Sequence, residues 1–248
     1  MPARRTHAAL IALALVALPL AACAAEPAPA SSASPRASSA SPTPDASPTP
    51  SAEEIAAATS ALLDAAARDD LAAVAEAIDA GADIESRDSA GRTPLVIATK
   101  RNSPETAILL LAAGADPDAK DDIEDSAFLY AGAEGYNRIL EATIEHGADV
   151  TSTNRFGGTA LIPASEHGYA ETVRILLAAG VPVDHVNDLG WTALLEAVIF
   201  GDGSGTYVEV VRLLVEAGAD TGIVDFQGRT APATAQGRGH TEIARLLG

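Results

Sequence analysis

The stretch TALIPASEHGYAETVRILLAAG, residues 159–180, is one copy of a unit that recurs from about residue 60 to the C-terminus. A Ser or Thr opens every copy, and the first four intervals between these positions are 33 residues long. The fifth interval is 38 residues, because residues 201–205 are inserted. The opening positions are Ser60, Thr93, Ser126, Thr159, Thr192 and Thr230. A fixed period of this length is typical of proteins built from stacked repeats.

Each copy has the pattern of two helices followed by an extended polar loop. In the second helix the apolar residues recur at i, i+3 and i+4, as in Val173, Leu176 and Leu177, which gives one apolar stripe per helix. The opening Ser or Thr is expected to cap the first helix with its hydroxyl. Gly180 and its equivalents are expected to end the second helix in a left-handed conformation.

These features resemble the ankyrin repeat. Residues 93–95 (TPL) match the opening of its consensus, residues 239–240 (GH) match the middle, and GAD recurs at 81–83, 114–116, 147–149 and 218–220. The resemblance covers residues 60–248. It implies an all-α solenoid of helix-turn-helix units with projecting hairpin-like loops. It also implies protein recognition through the loop tips and the concave helix face.

The same pattern sets the expected boundaries. Residues 51–248 form the repeat domain, with units at about 60–92, 93–125, 126–158, 159–191, 192–229 and 230–248. Ser51 and Glu54 have the spacing of a capping box, so a long first helix is expected to run to about Arg68 and cover the open end of the stack. The last unit, which carries Pro232 in place of Leu, is expected to cap the other end.

Two internal units are irregular, and a third carries an insertion. Thr143 takes a position on the apolar stripe of the third unit, which is therefore predicted to be the softest. Pro163 lies in the first helix of the fourth unit, where it removes one early hydrogen bond. The insertion at 201–205 is expected between the two helices of the fifth unit.

The N-terminal segment has the pattern of an export signal. Arg4 and Arg5 precede an apolar run at residues 8–20, which is too short to span a bilayer core of about 30 Å. Residues 20–23 (LAAC) resemble the bacterial lipobox. The resemblance implies that residues 1–22 are a lipoprotein signal peptide and that Cys23 carries diacylglyceryl and acyl chains such as palmitate. The expected location is then the extracytoplasmic side of the cell membrane; an ordinary secretory signal is the alternative.

Residues 23–50 are rich in Pro, Ser and Ala, with almost nothing apolar to bury, and are expected to form a disordered linker. A glycosylated stalk is the alternative for this segment.

The full chain has 16 Lys and Arg against 34 Asp and Glu. Loss of Arg4 and Arg5 with the signal leaves 14 basic residues and a net charge of −20. Such acidity excludes nucleic acid as a partner and favours a basic protein, or merely keeps the chain in solution.

The sequence offers no motif for catalysis, so no enzyme activity and no cofactor are expected. No histidine has metal-ligand spacing, so no metal site is expected. The acidic run at 116–125 has Lys120 at the fifth position of a calcium-loop pattern and lacks the glycine at the sixth. It is therefore interpreted as a solvated acidic loop, with a small-ligand or calcium-binding lipoprotein kept as an alternative function.

A binding surface is what remains. The expected loop tips present Ile123, Phe156 and Leu189, with Trp191 and Phe226 close in sequence. The outward positions of the first helices are expected to be Ile97, Tyr130, Pro163 and Glu196.

Stacking of the repeat units would place these residues in columns and form an apolar strip bordered by acidic side chains. The alternative is that each apolar tip packs against the loop of the next repeat. The candidate partner-binding residues are Ile123, Tyr130, Phe156, Leu189, Trp191 and Phe226. The predicted function is a membrane-anchored module that binds a protein, possibly a basic one. The alternative is an inhibitor or immunity-type lipoprotein directed against a basic exported enzyme.

Overall fold

The computed structural model describes residues 50–248, and within that range the chain forms twelve α-helices. The predicted signal peptide, the predicted lipid attachment at Cys23 and residues 24–49 of the predicted linker lie outside the described residues. The helices are α1 Ala52–Arg68, α2 Leu71–Asp79, α3 Pro94–Lys100, α4 Pro104–Ala112, α5 Ala127–Glu134, α6 Asn137–Glu145, α7 Leu161–Glu166, α8 Ala170–Ala178, α9 Ala193–Phe200, α10 Gly205–Glu216, α11 Ala231–Arg238 and α12 Thr241–Leu246.

The helices form six pairs that stack in chain order. The odd-numbered helices contact one another in sequence from α1 to α11, and the even-numbered helices do so from α2 to α12. Each odd helix also packs against the even helix that follows it. In residues 50–248 the β-structure is limited to one isolated antiparallel bridge between Val224 and Thr230. The expected all-α array of helix pairs is therefore confirmed.

The apolar stripes meet in one continuous core. Its largest fully buried side chains include Phe128, Leu62, Leu95, Leu140, Leu176 and Leu214, which come from successive pairs. Burying a side chain of this size stabilises the fold by about 1.5–3 kcal/mol. Thr143 lies on the same stripe and is fully buried, and its hydroxyl donates a 2.7 Å hydrogen bond to the Leu140 carbonyl. This bond offsets part of the cost of the buried hydroxyl, and the softness of the third unit stays a prediction.

The start of α1 is confirmed as a capping box. Ser51 Oγ accepts from the Glu54 N–H at 3.3 Å, and Glu54 Oε2 accepts from the Ser51 N–H at 2.7 Å. The helix ends at Arg68, as predicted. Ser60 therefore lies inside α1, and the expectation that it caps a helix is wrong. A helix that has already begun at Ala52 leaves no free N–H for Ser60 to bind.

Side-chain caps occur at Thr93, Ser126, Thr192 and Thr230, each accepting from the N–H three residues later. Thr159 is the exception: α7 starts only at Leu161, and the buried Thr159 hydroxyl has no hydrogen-bond partner among the described residues. Pro163 has no N–H to donate to the Thr159 carbonyl, which accepts instead from Ile162 at 3.1 Å. The predicted cap at Thr159 is therefore wrong, and the lost early hydrogen bond at Pro163 is its cause.

The second helices end as expected. The residues at the left-handed position are Gly81, Gly114, Gly147, Gly180 and Gly218, with φ between 84° and 97°. The insertion at 201–205 lies between α9 and α10, and its last residue begins α10. Among the described residues, no helix has the length and apolar character needed to cross a membrane.

Candidate partner-binding groove

The loop tips owe their shape to one repeated Asp or Asn. Its side-chain oxygen accepts hydrogen bonds from the N–H groups two and four residues later, for example from Leu189 at 3.1 Å and Trp191 at 2.9 Å at Asn187. This turn closes each loop and turns the second residue away from the helices. The residues that close the tips are Asp88, Asp121, Asn154, Asn187 and Asp225.

The turned-out residues of three successive tips are the exposed apolar ones. Ile123, Phe156 and Leu189 expose 51%, 49% and 45% of their surface. The Phe156 and Leu189 tips are joined through the backbone, since the Asp188 N–H donates to the Phe156 carbonyl at 2.9 Å. These two tips therefore touch while their side chains remain about half exposed. Backbone contact between loops does not cover the apolar strip.

A groove of about 330 Å³ lies between these tips and the first helices of the third to fifth pairs. Its apolar wall contains four of the six residues predicted from the sequence: Tyr130, Phe156, Leu189 and Trp191. Phe200 at the end of α9 completes the wall, with its ring 5.5 Å from that of Trp191 in an edge-on arrangement. Sequence reasoning missed Phe200 because it is the last residue of a helix and precedes the insertion.

Two predicted residues lie elsewhere. Ile123 is exposed on its tip but does not line the groove. Phe226 exposes 79% of its surface and lies over the turn at Gly190, where an added Cβ would come within 3.0 Å of its ring. The groove therefore separates the candidate set into four lining residues and two that flank it.

The expectation for the first helices is wrong at two positions. Ile97 and Glu196 are buried rather than outward. The first helices pack side by side, so a position that would be exposed on an isolated unit is covered by the next unit. Tyr130 and Pro163 are half-buried and line the groove.

Carboxylates form the polar part of the groove. Asp125, Glu134, Glu166 and Glu196 all line it, and Arg155 is the one Lys or Arg among its described lining residues. The Arg155 guanidinium is already engaged, at 3.5 Å from Asp125 and 4.8 Å from the centre of the Phe156 ring. The groove therefore presents net negative charge between aromatic walls.

Glu196 is the most constrained of these carboxyl groups. It exposes only 4% of its surface and accepts a 3.0 Å hydrogen bond from Asn187 Nδ2. Burial raises the pKa of Glu196 to about 7, and the neighbouring charge of Glu166 adds to the effect. The sequence held a clue to this pair, because Glu166 stands 66 residues after Lys100, two repeat periods along the chain.

The acidic run at 116–125 is not simply solvated, as its pattern suggested. Lys100 Nζ lies 2.8 Å from both Asp121 Oδ2 and Asp125 Oδ2, and Asp121 is buried. The Lys100 ammonium and the backbone hydrogen bonds hold the pKa of Asp121 below its usual value against the opposing effect of burial. Within residues 50–248, no group of three or more His, Cys, Asp or Glu is arranged to hold a metal ion.

Together, six stacked helix pairs with projecting tips and a concave, apolar and acidic groove define a repeat protein with a candidate interaction surface. A family model described as ankyrin repeats (3 copies) matches residues 49–121 and 128–225, and the chain belongs to the ankyrin-repeat family. Ankyrin repeats are typically non-enzymatic scaffolds for protein–protein interaction.

Two solved structures illustrate the similarity. A crystal structure of an ankyrin repeat domain from Acinetobacter baumannii AYE matches with a TM-score of 0.74 at 52% sequence identity, over 75% of this chain and 95% of that chain. A crystal structure of EF0377, an ankyrin repeat protein, matches with a TM-score of 0.74 at 43% identity, over 76% of this chain and 96% of that chain. No curated protein matches the chain in sequence.

Proposed function

We propose that this chain is a binding module that holds a protein partner in the groove, at the extracytoplasmic side of the cell membrane. The observation that carries the proposal is the convergence of Phe156, Leu189 and Trp191 on one concave surface. Exposed apolar side chains are normal when scattered, but a contiguous set with a polar rim marks an interaction site. The predicted role of the loop tips and the concave helix face rests on this surface.

The groove has the composition of an interface centre. Aromatic side chains are enriched at such centres, and a few of them carry most of the binding energy. Phe156 and Leu189 leave about half of their surface to be covered. Each buried Å² of apolar surface stabilises a complex by about 25 cal/mol before the cost of association is subtracted. For a partner that fills the groove, the largest gain in binding free energy therefore comes from covering the side chains of these two tips.

The proposed location rests on the N-terminal sequence. Arg4 and Arg5, the apolar run at 8–20 and the LAAC motif at 20–23 together resemble a lipoprotein signal. Two or more acyl chains on Cys23 would hold the chain stably at the membrane, whereas one chain alone would bind marginally. The segment at 24–50 would then separate the repeats from the bilayer.

The partner proposal is tested by cross-linking and affinity capture from intact cells of origin. The full chain is compared with the double variant Phe156→Asp, Leu189→Asp, and with Phe226→Asp as the matched control. The three substituted residues are all exposed and apolar, but Phe226 does not line the groove. Thermal unfolding first establishes that the variants fold.

We expect one protein to be captured by the unmodified chain and by Phe226→Asp, and to be lost from the double variant. Truncating two interface hot spots costs at least about 4 kcal/mol when each contributes 2 or more, which removes detectable capture. Capture of the same proteins by all three baits, or by none, would reject the groove as the binding surface.

A further inference from the structure

The chain contains its own example of how a cation fits between neighbouring repeats. Lys100, at the end of α3, places its ammonium 4.9 Å from the centre of the Tyr130 ring on α5. The same nitrogen lies 2.8 Å from carboxylate oxygens of Asp121 and Asp125. One aromatic face and two carboxylates thus satisfy a single, largely buried positive charge.

Two repeats further along the chain, the same positions carry different residues. Adding two periods of 33 residues relates Lys100 to Glu166, Tyr130 to Glu196, Asp125 to Trp191 and Asp121 to Asn187. An aromatic ring and carboxylates are again present, but the position that supplied the cation now supplies an acid. The later junction therefore has the surroundings of a cation without a cation of its own.

The carboxyl groups of Glu166 and Glu196 have no ion-pair partner in the described part of the chain. Across residues 50–248, no Lys, Arg or His forms an ion pair with Glu166 or Glu196. Both carboxyl groups line the groove, and Asn187 Nδ2 donates a 3.0 Å hydrogen bond to Glu196. Two carboxylates in one place cannot both ionise cheaply unless a positive charge joins them.

We propose that the groove takes an arginine side chain of the partner, seated against Trp191 with its guanidinium bound by Glu166 and Glu196. This inference rests on the proposed function and specifies the chemistry of the partner. A guanidinium is planar and presents several donors, so it can stack on an indole face and bind two carboxyl groups at once. The net negative charge of the chain, −18, steers such a side chain toward the groove.

The charges around the pair support the choice of a cation. Asp125 and Glu134 also line the groove, while Arg155 is occupied by Asp125 and the Phe156 ring. Burial and the charge of Glu166 raise the pKa of Glu196 to about 7. A bound guanidinium favours the ionised form, so binding of the cation releases a proton near neutral pH.

The probe is an acetylated nonapeptide of glycine and serine with one central arginine, compared with the same peptide carrying neutral citrulline. The full chain has a single tryptophan, Trp191, so tryptophan fluorescence, excited at a wavelength that tyrosine does not absorb, reports on the groove. Titrations are run at constant ionic strength on the unmodified chain and on the double variant Glu166→Gln, Glu196→Gln. Glu141→Gln, at an exposed position on α6, is the matched control.

We expect a saturable change with the arginine peptide that is at least about tenfold weaker with citrulline and with the double variant. Glu141→Gln should bind like the unmodified chain, and affinity should fall about tenfold between pH 8 and pH 6 as Glu196 is protonated. A saturable change of equal strength with citrulline, an unchanged double variant, or no saturable change would each overturn the inference.

The same variants separate this inference from the proposed function. A captured partner that is lost from Phe156→Asp, Leu189→Asp but binds Glu166→Gln, Glu196→Gln unchanged would leave the groove as the interface and refute the arginine. An arginine peptide that binds as predicted, with no protein whose capture depends on the two tips, would support the cation site and refute the protein-binding role.

Discussion

At the scale of single residues, Glu196 is the position where burial and charge are most opposed. Its side chain is covered by the packing of α9 against α7 and by the loop that carries Asn187. A carboxyl group in that position favours its neutral form, and this preference links the stability of the fold to pH.

The first prediction concerns that linkage. The pKa of Glu196 in the folded chain, about 7, lies above its ordinary value of 4.5. The contribution of the neutral Glu196 carboxyl to the stability of the fold is therefore fully present below about pH 4.5. It is lost as the pH rises through 7, and the free energy of unfolding falls by on the order of 3 kcal/mol. Urea unfolding at pH 5 and pH 8 should show this loss in the unmodified chain and a much smaller one in Glu196→Gln.

Glu141→Gln serves as the control, because its carboxylate is exposed. Asp88, Asp121 and Asp225 have lowered pKa values and act in the opposite sense, losing their stabilisation only as the pH falls into the acid range. They are common to all the variants, so the difference between variants isolates Glu196. Equal slopes for Glu196→Gln and the unmodified chain between pH 5 and pH 8 would contradict the assignment.

At the scale of helices, the fourth unit shows how one residue changes the start of an element. Thr192 and Thr159 occupy equivalent positions, but only Thr192 caps its helix, accepting from the Leu195 N–H at 3.2 Å. The proline four residues after Thr159 removes the donor that its carbonyl would need, and the helix begins later.

The second prediction follows from this difference. Thr192→Val should destabilise the chain by about 1 kcal/mol, because it removes a cap while preserving side-chain volume. Thr159→Val should be neutral or slightly stabilising, since its buried hydroxyl bonds nothing in the described residues. The midpoints of chemical denaturation compare the two directly. A loss at Thr159 as large as that at Thr192 would mean that Thr159 does cap α7.

Much of the element pattern was predictable from local chemistry. The capping box of Ser51 and Glu54, the stop at Arg68 and the recurring glycines each depend on residues close in sequence. The failure at Thr159 was also local, since the rule that a proline donates no hydrogen bond applies to position 163. The capping residues and the repeat period therefore predict where the helices begin and end without information about the neighbouring repeat units.

The groove was only partly predictable, because it depends on contacts between units. Phe156 and Leu189 could be placed at exposed tips from the Asx-turn pattern alone. The burial of Ile97 and Glu196 depends on the neighbouring first helix, which a single repeat does not contain. The role of Glu166 could be predicted only by comparing equivalent positions two repeat periods apart, where Lys100 in one unit corresponds to Glu166 in the other.

At the scale of the whole molecule, we propose that the repeats bind the partner and that the N-terminal segment sets the location. The repeat surface is acidic, so an anionic membrane would repel it. Stable attachment would then depend on the lipid carried by Cys23 rather than on the repeats themselves.

The third prediction tests this division. Cys23→Ala should abolish labelling of the chain by an alkyne-bearing palmitate analogue. The chain should then either be cleaved and released from the membrane fraction into the fluid outside the cytoplasm, or remain as the uncleaved precursor. Cys23→Ser is a second variant with nearly the same volume. Membrane association of the cleaved chain that persists in both variants without labelling would contradict lipid attachment and favour a different anchor.

Occupation of the groove by a protein partner can be measured directly at Trp191, the single tryptophan of the full chain. With 5-fluorotryptophan incorporated, the chain has one fluorine resonance, at Trp191, and an unlabelled partner contributes none. We expect this resonance to move to a new position as the captured partner is added, with the change complete at a fixed ratio of partner to chain. A partner that binds the chain, by sedimentation or calorimetry, while the Trp191 resonance stays unchanged would contradict occupation of the groove.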